Sequence, residues 1–483
     1  MRSAVAALLT LAVLAAAGCG SRVDPETVAN ANGTTGGAAQ GGLAGPDGTT
    51  SGGGSAVGPD GTTSGGGGGS TSGGGGTTTS GGGGGGTTEG EGENSSDGGV
   101  KAASCDGFKN QTGITDSKIT IANVADISGP VPGIFESAQE ATRAYAAYFN
   151  ANNDLCGRKL DVQLLDSRAD AGADQQAYTK ACDEAFATVG SMSAFDSGGA
   201  QAAESCGLPD LRSTTVNPER RNCATCFAAQ SVSPNLVPTA MPRYWLKKEP
   251  RATQHVALFY INAGAAPVNA QSFKVAWEKV GWKVDLFQGI DVSEFNYSPY
   301  VQQMRDKGIE FVMYIGPYQN TEKLQSAMEQ QGFEPEVYLQ DATIYDERFV
   351  EESGDTADGS YVYTTTQLFD DTSVKEMALY RSWLDQVKPG AVPNFYGLYA
   401  WSATRLFVEQ AVALGGRLDR KTLVQALSKV RGWTGNGLHA PQQVGAKTTA
   451  NCVKILQLDG GRWSQVSPGD YMCAPNVDTG VGD

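Results

Sequence analysis

The chain has 483 residues, a formal charge of −16 and only two histidines. An acidic body argues against nucleic acid as a partner and against direct adsorption to anionic lipid. Two histidines, with no P-loop and no dinucleotide glycine fingerprint, leave little for a His-based triad, a zinc site or a nucleotide cofactor. No metal or cofactor is therefore expected, and no enzyme chemistry.

The chain opens with Met1-Arg2-Ser3 and the apolar run Ala4–Ala17, the charge-then-apolar layout of a secretory signal over residues 1–18. The run is too short and too rich in Ala for a convincing membrane span. Its end, Ala16-Ala17-Gly18-Cys19, resembles the lipobox of bacterial lipoproteins. Cleavage before Cys19 would leave a thiol to carry lipid and anchor the protein to the outer face of the membrane. The alternative is ordinary secretion with cleavage near Ala17. Residues 19–99 are then a linker, and 31–99 are almost entirely Gly, Ser and Thr, with Gly45–Gly54 recurring as Gly58–Gly67. Such a segment buries too little apolar surface to offset chain entropy. It reads as a disordered tether spanning roughly 45 Å.

Eight acidic and two basic residues fall in the first 99, so the remaining chain carries about −10. With Cys19 assigned to lipid, Cys105, Cys156, Cys182, Cys206, Cys223, Cys226, Cys452 and Cys473 remain. An even eight behind an export signal suggests four disulfides, whose connectivity spacing cannot give. The preferred pairs are Cys156–Cys182, tying a βα unit, and Cys452–Cys473, tying the last strands. Cys223-Ala-Thr-Cys226 has redox or half-zinc spacing, but no second CxxC follows, which favours a structural bridge.

The body begins with the stretch Lys118–Asn150. Lys118–Ala125 is a β-branched apolar run of strand length. Ile134, Phe135, Ala138, Ala141, Tyr145 and Tyr148 then follow at helical spacing. Between them runs the polar turn Asp126–Gly133, the kind of strand-to-helix turn that receives a small polar or anionic ligand. Strands and helices alternate onward. Strands are predicted at Lys159–Leu165, Thr188–Ala194, Leu211–Thr215, His255–Ile261, Lys283–Phe287, Ile309–Ile315, Val337–Gln340 and Tyr361–Thr365. Helices are predicted at Ala173–Ala187, Ala200–Cys206, Asn235–Lys248, Val268–Val280, Tyr297–Lys307 and Thr321–Gln331. The alternation then gives way to successive helices at Thr372–Val387, Phe395–Leu414 and Leu418–Val430. The end is a hairpin, Cys452–Leu458 and Arg462–Val466 around Asp459-Gly-Gly461. Repeated βα units imply largely parallel sheets covered on both faces. Two such runs make an α/β protein of two doubly wound, Rossmann-like lobes.

Several segments together carry a likeness to a known family. They are Gly113–Ile121, Ser128-Gly129-Pro130, Asn152–Leu160, Tyr314-Ile-Gly-Pro-Tyr318, Ala357–Tyr361 and Phe395–Trp401. In order and spacing the body resembles the branched-chain amino-acid-binding family of ABC-transporter substrate-binding proteins, which have the type I periplasmic-binding fold. The resemblance implies one lobe over 112–238 plus 368–431, a second over 239–367 plus 432–475, and a multi-strand hinge that closes them on a ligand. It also implies a small polar ligand (an amino acid, an amide or a related amine or acid), an ABC permease as partner, and a monomer.

Family positions carry over one by one. Phe195-Asp196-Ser197 corresponds to the turn that holds a ligand carboxylate. Thr214 and Thr215 fall where both ends of an amino acid are bound, Tyr318 matches an aromatic cleft wall, and Asp341 lies where an acid meets an ammonium. Ser128 would form one lip of the cleft. Asn262 stands in a segment where the family often offers a tyrosine, which puts amino-acid specificity in doubt. The same hydroxyls and acids also suit helix caps and turns. A ligand-sensing module for a membrane receptor, or a non-binding secreted structural or adhesion protein, would be built on the same fold.

Overall fold

A computed structural model describes residues 102–482. The predicted signal, Cys19 and the linker lie outside the described residues. Five parallel strands form the first sheet: β1 (Lys118–Ala125), β2 (Lys159–Asp166), β3 (Ala187–Val189), β4 (Asp210–Thr215) and β5 (Cys226–Ser231), in the spatial order β2-β1-β3-β4-β5. Central strands of such a sheet are covered on both faces, and β1 is buried along most of its length. Helix α1 (Glu136–Asn152) packs on one face beside a helix from much later in the chain, and Tyr145 meets Trp401 edge-on at 4.8 Å. Helices α2 (Ala171–Glu184) and α3 (Ser197–Ser205) lie side by side on the other face, burying Tyr178, Ala181 and Ala203. A short helix, α4 (Pro218–Asn222), leads into β5.

Strand β5 has the sequence CFAAQS, whose lack of β-branched residues hides it from a propensity reading, yet all six residues are buried. The predicted helix Asn235–Lys248 divides: Leu236–Pro238 is strand β6, and helix α5 starts at Ala240 and runs to Lys248. β6 pairs antiparallel with a C-terminal segment, Asn476–Asp478, that no local signal could supply.

The second unit repeats the first pattern. Its strands are β7 (Val256–Ile261), β8 (Val284–Ile290), β9 (Phe311–Ile315), β10 (Val337–Gln340) and β11 (Tyr361–Thr364), in the parallel order β8-β7-β9-β10-β11. β12 (Cys452–Asp459) then adds antiparallel to β11, and β13 (Arg462–Gln465) to β12. α5 and α6 (Ala266–Val280) cover one face around Trp245, Trp277 and Phe311. α7 (Ser298–Asp306) and α8 (Tyr318–Gln330) cover the other. α9 (Glu347–Ser353), α10 (Lys375–Val387), α11 (Phe395–Leu414) and α12 (Arg420–Leu427) follow. Asn394 caps α11 by accepting the Gly397 N–H, and the Asp419–Thr422 capping box starts α12. Although it follows the second set of strands, α11 returns to lie on α1 and β4 of the first.

Three segments pass between the two sheets: 232–239, 364–368 and 438–450. The second and third are tied to each other by backbone bonds, Ala440 N–H to Thr365 O at 2.8 Å and Gln367 N–H to Leu438 O at 2.8 Å. The Ser233 N–H donates to Thr449 Oγ1 at 2.7 Å.

The four disulfides are Cys105–Cys156, Cys182–Cys206, Cys223–Cys226 and Cys452–Cys473. The expected Cys156–Cys182 pair is corrected. Cys182 ends α2 and faces Cys206 because α2 and α3 lie side by side, while Cys156, in the loop before β2, meets the incoming segment at Cys105. Cys452–Cys473 joins β12 to the two-residue strand β14 (Met472–Cys473), as expected, and Asn476–Asp478 is β15. The loop closed by Cys105–Cys156, with a sequence separation of 51, is worth about 4 kcal/mol on a chain-entropy estimate.

Candidate ligand-binding site

In sheets ordered 2-1-3-4-5, the turns after the first and third strands diverge and leave a crevice at the strand C-termini. Both sheets have this order. Their crevices face one another, and a cavity of about 410 Å³ lies there. The first sheet contributes Asp126 after β1, Met192 and Phe195 after β3, Thr214 on β4 and Gln230 on β5. From the second come Ala263 after β7, Gly316 after β9, Asp341 after β10 and Tyr363 on β11. The crossing segments add Ser233, Thr365 and Gln442. Most lining side chains are apolar, and none is Lys, Arg or His.

Two lining residues are charged, and their surroundings differ. Asp126 is fully buried, with Oδ1 accepting from Ser167 Oγ at 2.6 Å and the Ala169 N–H at 3.1 Å, and Oδ2 from the Ala194 N–H at 3.0 Å. Desolvation pushes its carboxyl above the usual range against the pull of these bonds. Asp341 caps the 3₁₀ turn after β10, with Oδ1 accepting both the N–H and the hydroxyl of Thr343. No bond reaches its Oδ2 among the described residues, and no cation pairs with it. Desolvation raises its carboxyl to about 7, the Thr343 N–H opposing. The phenols of Tyr363 and Tyr396 are pushed up by burial and then by the charge of Asp341, which places both within its electrostatic reach. Tyr396 stands edge-on to Phe135 at 4.7 Å and to Phe395 at 5.3 Å, so aromatic faces crowd this part of the cavity.

A buried chain of hydrogen bonds runs along the wall. Thr214 Oγ1 donates to Gln230 Oε1 at 3.3 Å, and Gln230 Nε2 donates to Thr365 Oγ1 at 3.2 Å. The Thr365 and Tyr399 hydroxyls lie 2.7 Å apart, and Gln442 Nε2 donates to Tyr399 at 3.2 Å and to the Ala440 carbonyl at 2.9 Å. It links β4 and β5 to two crossing segments and α11.

Of the nine residues expected at the ligand, Phe195, Thr214 and Asp341 line this cavity. The other six stand elsewhere. Ser128 is exposed and donates to Asp166 at 2.6 Å. Asp196 turns into the protein, where Arg212 and Arg220 reach it at 3.0 and 3.5 Å. Ser197 is the first residue of α3. Thr215 is buried at the end of β4, and Asn262 is exposed after β7. Tyr318 begins α8, with its hydroxyl 3.0 Å from Glu352 and the Arg348 guanidinium 5.2 Å over its ring. Gln230, Tyr363, Tyr396 and Gln442 were not anticipated. Tyr363 and Tyr396 stood in predicted elements and showed which face they take only through pairing. Gln442 lies in a loop with no local signal.

A sequence profile described as periplasmic binding protein matches residues 118–462. The chain belongs to that family. A search of curated proteins finds no match. Among solved structures, a fatty acid ABC transporter substrate-binding protein from Thermomonospora curvata superposes with a TM-score of 0.67 at 17% identity, over 79% of this chain and 100% of that one. A branched-chain amino acid ABC transporter protein from Thermus thermophilus with bound valine gives 0.64 at 16%, over 73% and 96%. A solute-binding protein from R. palustris in complex with 4-hydroxybenzoate gives 0.61 at 13%, over 75% and 98%. The type I periplasmic-binding fold expected from the sequence is the fold of this family member. At these identities the likeness concerns fold alone, and the ligands in the three names differ in chemistry.

Proposed function

We propose that the protein is the solute-binding component of an ABC importer, capturing a small ligand between two lobes outside the cytoplasm and delivering it to a membrane permease. The observation that carries this reading is the cavity shared by the C-terminal edges of both sheets. The lobes are taken as 112–238 plus 368–431 and 239–367 plus 432–475, with the three tied crossings as the hinge. Phe195, Thr214 and Asp341 are the expected contacts that we carry forward. The mostly apolar lining favours a ligand with an apolar body over the wholly polar one that the resemblance implies, in keeping with the fatty acid and hydroxybenzoate named for two relatives. Export by residues 1–18, lipid on Cys19 and the 19–99 tether complete the proposal, with the protein acting as a monomer and not as an enzyme.

A thermal-shift panel of amino acids, amides, polyamines, fatty acids and aromatic acids tests it. A ligand at about a hundred times its Kd adds about 2.7 kcal/mol of stability, which raises Tm. Ala263→Trp, which fills the cavity from its lining, should abolish that shift while the free protein melts as before. A panel without a single shift would sink the reading.

A further inference from the structure

The cavity's donors and acceptors are unequally free. Four backbone N–H groups around the first-sheet crevice are already taken: Ala169 and Ala194 bond Asp126, Phe195 bonds Ser193 Oγ at 3.0 Å, and Gly199 bonds Asp174 at 2.8 Å. The hydroxyls of Thr214, Ser233 and Ser272 donate to acceptors within the protein. Each hydroxyl has one proton to give.

Acceptors, by contrast, stand open. Among the described residues the bonds to Asp341 all end on Oδ1 and leave Oδ2 without one, and buried Gln442 has an Oε1 with no partner. Gln442's orientation is fixed because the Ala440 carbonyl, a pure acceptor, must face its amide nitrogen. Tyr363 and Tyr396 keep hydroxyls that accept as well as donate, and Asn269 adds an amide free to face either way.

We propose that Asp126, by holding the Ala169 and Ala194 N–H groups within the protein, leaves this end of the cavity without a site for an anion, so that the cavity selects amines with an apolar body and no carboxylate. The ammonium group sits against Asp341, with the rings of Tyr363 and Tyr396 beside it. A carboxylate entering here meets two like charges and no cation. An ammonium meets a carboxylate whose desolvation it relieves, and aromatic faces that attract it. This rests on the solute-binding reading and narrows it to one ligand class.

Two matched series test it by calorimetry and thermal shift at pH 8. One is 2-phenylethylamine, phenylalanine, 3-phenylpropanoate and 2-phenylethanol; the other is hexylamine, norleucine, hexanoate and hexanol. The amine of at least one series should bind at least tenfold more tightly than its amino acid and its acid. Asp341→Asn should cut that amine's affinity at least tenfold, and the matched alcohol's by a much smaller factor. An acid or amino acid binding as tightly as its amine overturns the inference and leaves the solute-binding reading standing. So does an amine whose affinity survives Asp341→Asn. If neither amine binds, the inference fails; only silence across the wider panel also removes the reading beneath it.

Discussion

Two groups of aspartates in this molecule live by opposite rules. In the first sheet and its covering helices, Asp174, Asp196 and Asp210 surround Arg212 and Arg220 with every side chain fully buried. Arg220 reaches Asp210 at 2.8 Å and Asp174 at 2.9 Å, and lies 4.1 Å over the Tyr178 ring. The approach is so close that a Cβ on Gly199 would stand 2.5 Å from Arg220, so only glycine fits there. At the cavity, Asp126 and Asp341 have no guanidinium or ammonium partner among the described residues. The first group carries its countercharge, and the second leaves a vacancy in charge at the place where the fold leaves a vacancy in space. Compensated burial builds the wall; uncompensated burial faces what enters.

The largest effect should come from breaking the compensated group. Arg220→Met removes the charge that Asp174 and Asp210 share, leaving Asp174 without an ion pair and Asp210 with only Arg212 at 3.9 Å. Loss of one partner of a buried pair costs roughly 3–5 kcal/mol, which urea unfolding at pH 7 would measure. A loss under about 1 kcal/mol would show that solvent or relaxation already screens the cluster, and the contrast between the two groups would collapse.

The uncompensated group should respond in the other direction. Asp341 titrates near 7 in the folded protein and near its ordinary carboxylate value when unfolded, so the native state holds the proton more tightly. Stability from this residue is therefore unaffected below about pH 4 and falls as pH rises from about 4 to 7. Asp341→Asn removes that fall. At pH 8 the variant should be more stable than the parent by roughly 1–4 kcal/mol, with the difference vanishing near pH 4. Asp174, raised to about 6 by desolvation against the pull of Arg220, is present in both proteins and cancels from the comparison. Ammonium binding should run the opposite way, falling toward tenfold per unit as pH drops below about 7 and Asp341 takes up its proton. A flat difference between parent and variant across this range would mean that Asp341 is solvated and no ligand is needed to relieve it.

These contrasts mark what sequence can carry. The β1–α1 unit, the alternation through β11 and the helical return at α11 were legible because periodicity is local. Asp341 was singled out by the family resemblance alone, since a strand end followed by an acid is locally just an ordinary turn. The partner of Asp196 was not: whether that aspartate faces a ligand or a buried arginine depends on where β4 and α4 bring Arg212 and Arg220. For the same reason Asp126 read as the start of a polar turn, while its bonds to Ala169 and Ala194 exist only after β2 and β3 flank β1. Cys156 found Cys105 and not Cys182 because helix packing, not spacing, sets which thiols meet. Tyr318, expected as an aromatic cleft wall ahead of a helix over Thr321–Gln331, is instead the first residue of α8, with its hydroxyl against Glu352.

The smallest expected effect concerns the wall that joins the two regions. Tyr399 stands between Thr365 and Gln442 in the chain of bonds, fully buried on α11, with its hydroxyl at the meeting point of two crossing segments. Tyr399→Phe keeps the ring and removes only the hydroxyl, so Thr365 and Gln442 each lose one partner. Gln442 keeps the Ala440 carbonyl, and Thr365 keeps Gln230. The cost should be about 1 kcal/mol in unfolding free energy. If the chain matters only as packing, hydrogen exchange at the Ala440 and Gln367 amides, which tie the crossings, will slow or quicken no more than exchange across β7–β9. If it holds the crossings together, exchange at those two amides will quicken several-fold more than in the second sheet, and the loss of one hydroxyl will have loosened the hinge without touching either aspartate group.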